Sequence, residues 1–334
     1  MINPDLSLEE ISKILLEYLS KELGRELGYE TPLSQITGGY EAYLYKFKLK
    51  GAPEELSRPL ILRLFPRYYY PGRAEWDSVI QNVVADSGYP APRVYFTCTD
   101  VSVLGGSFLV MEFIEGEPLT PDMPVDMPAI LGKTQASLHN LDPTPIEKAL
   151  KERGINEDRY RLDGKLKWLR ERIREGGHDW LEEGLRWLIE NKPVEPRRLS
   201  VIHGDFHPMN LMIKNGEITA VLDWPNFQLG DTAMDVGFTL VLATVAGKEL
   251  LPEYEWERIV KRYLDAYREV RPLDERNIPY YKVLMCIMAL HEGADGQEIW
   301  ARPQVVKNLT DEVFEITGIK IIPIKRNYTR RSRD

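Results

Sequence analysis

The sequence predicts an α+β protein of two lobes, a mixed helix-and-sheet lobe up to about Glu115 and a mainly helical lobe after it. Three observations carry this expectation. The chain has 334 residues, too long for one small core and short for three domains, so two lobes are the natural division. Strand-forming segments concentrate in the first third. A proline-rich connection follows, and beyond it helical periodicity is broken by a single Asn-Gly hairpin signal.

The elements follow in order. Ser7-Leu8-Glu9-Glu10 has the form of a capping box, and Ile11, Ile14, Leu15, Tyr18 and Leu19 then share one helical face up to a stop at Gly24. Ile36-Thr37-Gly38-Gly39-Tyr40 reads as a glycine turn, after which Tyr43 to Leu49 and Leu60 to Phe65 read as strands. Pro71-Gly72 breaks the chain. A helix is predicted from Arg73 to Ser87, with Trp76, Val79, Ile80, Val83 and Val84 inward and Glu75 beside that stripe. Val94 to Thr97 and Ser107 to Ile114 read as two strands around an exposed turn at Gly105-Gly106. Gly116, Pro118, Pro121, Pro124 and Pro128 mark the connection. Helices are predicted over Ile130–Leu141, Lys165–Arg174 and Trp180–Ile189, and a hairpin over Leu211–Ile213 and Ile218–Leu222 about Asn215-Gly216. The expected domains are 1–115, 116–324 and a basic tail over 325–334.

Composition excludes several classes. The apolar share of 43% and charged share of 28% are those of a globular protein. A net charge of −9 argues against general nucleic-acid binding, which needs cations for the phosphate backbone. It leans mildly towards a cationic small molecule. Two cysteines, Cys98 and Cys286, make neither a disulfide framework nor a zinc knuckle, so a reducing, cytoplasmic setting is expected. The start has no basic and apolar signal pattern, and no apolar run is long enough for a membrane span. No nucleic-acid or membrane partner is expected.

The chemistry concentrates in His203-Gly204-Asp205-Phe206-His207-Pro208-Met209-Asn210 and the hairpin behind it. Folding the hairpin brings its ends together, so Asn210 and Asp223 become neighbours. An amide oxygen and a carboxylate are hard ligands suited to Mg²⁺. Asp205, on the loop, could then accept a proton from a substrate hydroxyl. Phosphoryl transfer needs little beyond metal on the phosphates, a positioned base and a cation on the triphosphate.

His203-Gly204-Asp205, Asn210, the hairpin and Asp223-Trp224 together resemble the aminoglycoside phosphotransferase and choline kinase group, which has a protein-kinase-like fold. The resemblance covers nearly the whole chain. It implies a two-lobed fold with an N-terminal antiparallel sheet, a mainly helical C-terminal lobe and nucleotide in the cleft between them. It implies ATP or GTP as donor, a small hydroxylated acceptor, Asp205 as catalytic base, and Asn210 and Asp223 as Mg²⁺ ligands. His203 and His207 become supports of the loop, and Asp235 ties it down. Asp231 reads as a helix cap. Arg63 sits where the group grips the nucleotide phosphates, and Glu75 where its ion-pair partner is expected. Gly38 and Gly39 match the phosphate loop, and Glu112, Phe113 and Ile114 the hinge strand that holds adenine. Acidic positions on a late helix, here Glu292 and Asp295, hold cationic acceptors in that group. The sequence departs from protein kinases in having Asp223-Trp224-Pro225 in place of Asp-Phe-Gly, which argues against a switched activation loop.

Other readings compete. His203, Asp205 and His207 could ligate metal in a phosphoesterase, but that chemistry needs further ligands downstream, and His291 alone follows. A catalytically silent nucleotide-binding protein on the same fold is the other alternative. Trp168, Trp180 and Trp187 read as helix packing. The run from Val103 to Glu112 resembles the branch associated with acyl-CoA dehydrogenases, which handles hydroxyacyl compounds, so a hydroxyacyl-type acceptor stands beside the aminoglycoside-like one.

Overall fold

The computed structural model describes residues 6–36 and 42–323. They form two compact units, 1–125 with 208–225 and 126–207 with 226–334. Thr37-Gly38-Gly39 and the basic tail lie outside the described residues.

The first unit holds α1 (Leu8–Leu23), β1 (Gly28–Ile36), β2 (Tyr43–Lys50), β3 (Leu60–Leu64), α2 (Gly72–Asp86), β4 (Val94–Cys98), a short α3 (Val101–Leu104), β5 (Phe108–Glu112) and β6 (Glu117–Pro118). Its antiparallel sheet runs β1-β2-β3-β5-β4. Ser7 caps α1 as the sequence implies, with its hydroxyl accepting from the Glu10 amide and Glu10 reaching back to the Ser7 amide. Period-two alternation in β2 turns Tyr43, Tyr45, Phe47 and Leu49 inward. They join Ile11, Leu15 and Leu19 of α1 and Phe108 and Val110 of β5 in one core. Each fully buried aliphatic residue there contributes about 1.5–3 kcal/mol. On the opposite face, Leu109 and Val94 pack with Phe65 and with Ala74 of α2.

The hairpin of β8 (Leu211–Lys214) and β9 (Glu217–Val221) also belongs to this unit. Asn215 and Gly216 both take positive φ, 55° and 83°, the geometry of a two-residue hairpin turn. The expected boundary at residue 115 placed the hairpin among the helices. Backbone pairing decides otherwise. β6 pairs with β8, and the Val221 amide donates to Pro90 O at 2.6 Å.

The second unit holds α4 (Met127–His139), α5 (Pro143–Glu152), α6 (Leu162–Gly176), α7 (Glu182–Glu190), β7 (Ser200–Ile202), β10 (Gln228–Gly230), α8 (Thr232–Val241), α9 (Lys248–Leu250), α10 (Trp256–Val270), α11 (Ile278–Ala294), α12 (Glu298–Ala301) and α13 (Pro303–Thr317). Strands β7 and β10 pair antiparallel and bracket the sequence that carries the loop. Helix α11 is buried along nearly its whole length, as its continuous apolar run from Val283 to Leu290 requires. Among the described residues no helix is long and apolar enough to cross a membrane.

Candidate active site

The loop His203–His207 is fixed from behind by one buried carboxylate. Asp235 sits in the first turn of α8, whose N-cap is Asp231, accepting from the Ala233 amide at 3.0 Å. Asp235 accepts the His203 amide at 2.9 Å and the Gly204 amide at 2.8 Å. His139 Nε2 lies 3.1 Å from its Oδ2, and His139 Nδ1 lies 2.6 Å from the Tyr267 hydroxyl. Burial alone would push the Asp235 carboxyl up. The His139 hydrogen bond, the charges of His139 and His203 and the His203 N–H outweigh it and hold the carboxyl below its usual range. A second brace runs from Gln135 Nε2 to Thr239 Oγ1 at 3.1 Å, and from that hydroxyl to Phe206 O at 2.8 Å.

Gly204 is required by this geometry. Its φ is +78°, and a Cβ there would come within 2.4 Å of Asn226 O. The loop's turn leaves Asp205 partly exposed, its amide donating to His203 Nδ1 at 3.2 Å and its Oδ1 lying 3.7 Å from His207 Nε2. His203 itself is fully buried and packs edge-on against Phe206.

In the first unit the hairpin ends meet as expected. The Leu222 amide donates to Asn210 O at 2.8 Å, which sets Asn210 beside the Leu222-Asp223 segment. Asp223 has φ +65°, a strained conformation for a non-glycine residue. Neighbours over-determine it: Trp224 Nε1 donates to Val221 O at 2.9 Å, and Trp76 Nε1 to Pro225 O at 3.0 Å. Arg63 Nη2 donates to Asp223 Oδ1 at 2.9 Å.

The carboxylate next to Arg63 on α2 is not Glu75 but Asp77. Arg63 Nη1 lies 3.6 Å from Asp77 Oδ2, and Arg73 Nε donates to Asp77 Oδ1 at 3.0 Å. Helix phase is the reason: Ala74 and Asp77, three apart, face inward, whereas Glu75 is rotated out to solvent. Burial pushes the Asp77 carboxyl up, against the pull of Arg63 and Arg73.

Other expectations divide. The Glu112 amide donates to Arg93 O and the Phe113 amide to Pro59 O. Ile114 lies two residues beyond the end of β5. Asp295 accepts His178 Nε2 at 2.9 Å and pairs with Arg172 at 3.3 Å. Glu292 acts electrostatically on Lys165, a residue no motif pointed to. Lys165 lies in the first turn of α6 and is 8% exposed; its amide donates to Arg161 O at 3.1 Å, and its ammonium has no hydrogen bond or ion pair among the described residues. Burial brings its ammonium down to about 8, opposed by the charges of Glu292, Asp205 and Asp235. Asp77, His139 and Thr239 were likewise unread. Their partners lie far away in sequence or, for Asp77, depend on helix phase.

An antiparallel-sheet unit, a helical unit and a braced His-Gly-Asp loop together form the frame of a phosphotransferase. The chain belongs to the phosphotransferase enzyme family, whose profile matches residues 32–276. It is similar to the probable acyl-CoA dehydrogenase IBR3 of Arabidopsis thaliana, 31% identical over 45% of this chain and 20% of that protein. It is also similar to acyl-CoA dehydrogenase family member 11 of Rattus norvegicus, 21% identical over 92% of this chain and 39% of that one. The chain thus spans well under half the length of these relatives. Among solved structures it shares the fold of macrolide 2′-phosphotransferase MphH from Brachybacterium faecium, with 18% identity, TM-score 0.56 and coverage of 93% and 99%. It shares it too with a thermostable form of aminoglycoside phosphotransferase APH(4)-Ia, in ternary complex with AMP-PNP and hygromycin B, at 17% identity, TM-score 0.57 and coverage of 91% and 99%. The fold is therefore protein-kinase-like.

Proposed function

We propose that this chain is a Mg²⁺-dependent kinase that moves the γ-phosphate of ATP or GTP to a hydroxyl of a small acyl compound. The observation that carries the kinase reading is the Asp235-braced loop presenting Asp205. Asp205 takes the hydroxyl proton as the oxygen bonds to the γ-phosphorus. The bond from that phosphorus to the β-bridging oxygen breaks, giving a phosphate ester and a nucleoside diphosphate. Asn210 and Asp223 supply the hard oxygen donors that Mg²⁺ prefers, and the ion would neutralise phosphate charge. Arg63, held between Asp77 and Asp223, grips the phosphates. Two buried, unbridged cysteines fit a cytoplasmic setting.

Lys165 favours the acyl branch over a polycationic acceptor. A buried ammonium under the influence of Asp205 repels a cation and attracts a carboxylate or polarised carbonyl. The names of the acyl-CoA dehydrogenase relatives point the same way. The test is a screen of hydroxycarboxylates and hydroxyacyl thioesters against matched neutral diols, amino alcohols and aminoglycosides, with ATP and GTP in parallel. Release of nucleoside diphosphate dependent on a hydroxyacyl compound is expected. For a carboxylate acceptor, kcat/KM should fall as pH rises through about 8 and Lys165 loses its charge. Turnover of aminoglycosides alone would overturn the acyl acceptor and leave the kinase standing. Mg²⁺-dependent nucleotide binding without turnover of any alcohol would favour the silent nucleotide-binding alternative.

The α2 geometry gives a separate expectation. Asp77→Ala leaves Arg63 and Arg73 without their shared carboxylate and should raise the KM for nucleotide roughly tenfold. Glu75→Ala should stay within about twofold, as a solvent-facing change does. Steady-state kinetics with varied Mg·ATP checks both, and equal effects would return Glu75 to the site.

A further inference from the structure

We propose that His178, His291 and Asp295 form a transition-metal site of the zinc type in the second unit, separate from the residues assigned to Mg²⁺. His291 and Asp295 are four residues apart at the end of α11, so they share a face. His178 follows the left-handed Gly177 at the end of α6. One donor atom from each of the three lies within 4.8 Å of the other two. His178 Nε2 is 2.9 Å from Asp295 Oδ1, and His291 Nε2 is 3.6 Å from Asp295 Oδ2. A tetrahedral zinc with bonds of about 2.0–2.1 Å separates its ligands by roughly 3.3 Å, so small side-chain rotations close the set.

The state of His291 is the second observation. The residue is 2% exposed, and its Nδ1 is buried with no hydrogen-bond partner. Its Nε2 lies 3.6 Å from Asp295 Oδ2, too far for a hydrogen bond. Neither neutral tautomer is satisfied, which is costly for a buried imidazole. A cation between Nε2 and the carboxylate would replace this long contact with coordinate bonds. The neutral imidazole ring is the ligating form. Two imidazoles and one carboxylate suit Zn²⁺ and disfavour Mg²⁺, which takes oxygen ligands.

The surroundings are built for the rings. A Cβ at Gly176 would come within 2.5 Å of His178 Cδ2 and Nε2, so glycine there makes room for the imidazole. Trp168 stands edge-on to His291 and Trp180 edge-on to His178. Arg172 is the competitor, holding Asp295 Oδ2 at 3.3 Å with a side chain 42% exposed, free to swing into solvent. Three protein ligands leave a fourth position for water, and the bound ion would clip the turn after α6 to the end of α11.

Metal-stripped full-length protein in millimolar Mg²⁺ should be titrated with Zn²⁺ by calorimetry and with Co²⁺ by visible absorption. One equivalent should bind, with the strong d–d bands of a four-coordinate Co²⁺ ion, altered tryptophan emission and a raised melting temperature. His178→Ala and His291→Ala should each weaken binding at least about tenfold, and Arg172→Ala should tighten it. Should His291→Ala lose its native circular dichroism, Asp295→Asn at an exposed position gives the same reading. Absence of a stoichiometric site, or affinity that His178→Ala and Asp295→Asn both leave unchanged, overturns the proposal. A melting temperature raised equally in wild type and Asp295→Asn does the same.

Discussion

Asp205→Ala is expected to lower phosphoryl transfer to any acceptor by roughly 10²- to 10⁴-fold, the range over which a positioned general base acts. The loss should appear in kcat, because the proton is taken only as the oxygen bonds to phosphorus. Stability should change little. The Asp205 carboxylate is about one-third exposed, with Oδ1 3.7 Å from His207 Nε2, while the turn itself is held through backbone groups on either side. Nucleotide binding should persist, since Arg63, Asp77, Asn210 and Asp223 all belong to the first unit and Asp205 to the second. Single-turnover assays, a thermal melt and Mg·ATP titration separate the three quantities. Wild-type turnover in a folded Asp205→Ala protein would remove Asp205 from the chemistry.

What the sequence reveals and hides follows the range of each interaction. The Ser7 capping box, the Asn215-Gly216 turn and the stop at Gly24 are local in their causes, and each stands where the residues place it. The His203–Asn210 loop is legible for a different reason, since its residue types and spacing are chemical requirements. Strand β1 was not seen because Gly28–Ile36 contains Pro32 and exposes most of its side chains. Pairing with β2 makes it a strand. Strands β7 and β10 have three residues each, too few for a period, and exist through each other. The turn expected at Gly105-Gly106 is preceded by a one-turn helix, α3, capped by Asp100. Glu75 is expected beside Arg63 from the family resemblance, and the phase of α2 sets Asp77 there instead. His139 and Asp235 are 96 residues apart, and Lys165 reads as an ordinary helix residue until burial sets it among Asp205, Asp235 and Glu292.

Asp235 carries the second large effect. Asp235→Ala removes the acceptor for two loop amides and the partner of His139, all in a fully buried place. Leaving a buried donor without its acceptor costs about 1–3 kcal/mol, and three donors lose theirs here. Asp235→Asn should fare little better, because its amide nitrogen must face a backbone N–H that needs an acceptor. Activity should fall with either change, since the amides of His203 and Gly204 set the turn that presents Asp205. The pH dependence distinguishes a lost charge from a lost shape. The folded carboxyl lies below its unfolded value, so its stabilisation is present above the unfolded pKa, about 3.9. That stabilisation drains away as pH falls through the folded value. The stability gap between wild type and Asp235→Asn should therefore be full at neutral pH and shrink below about pH 4. Chemical denaturation across that range measures the gap. A gap that stays constant into strong acid would show that Asp235 acts by shape alone, and full activity in Asp235→Ala would show that the loop holds its form without the carboxylate.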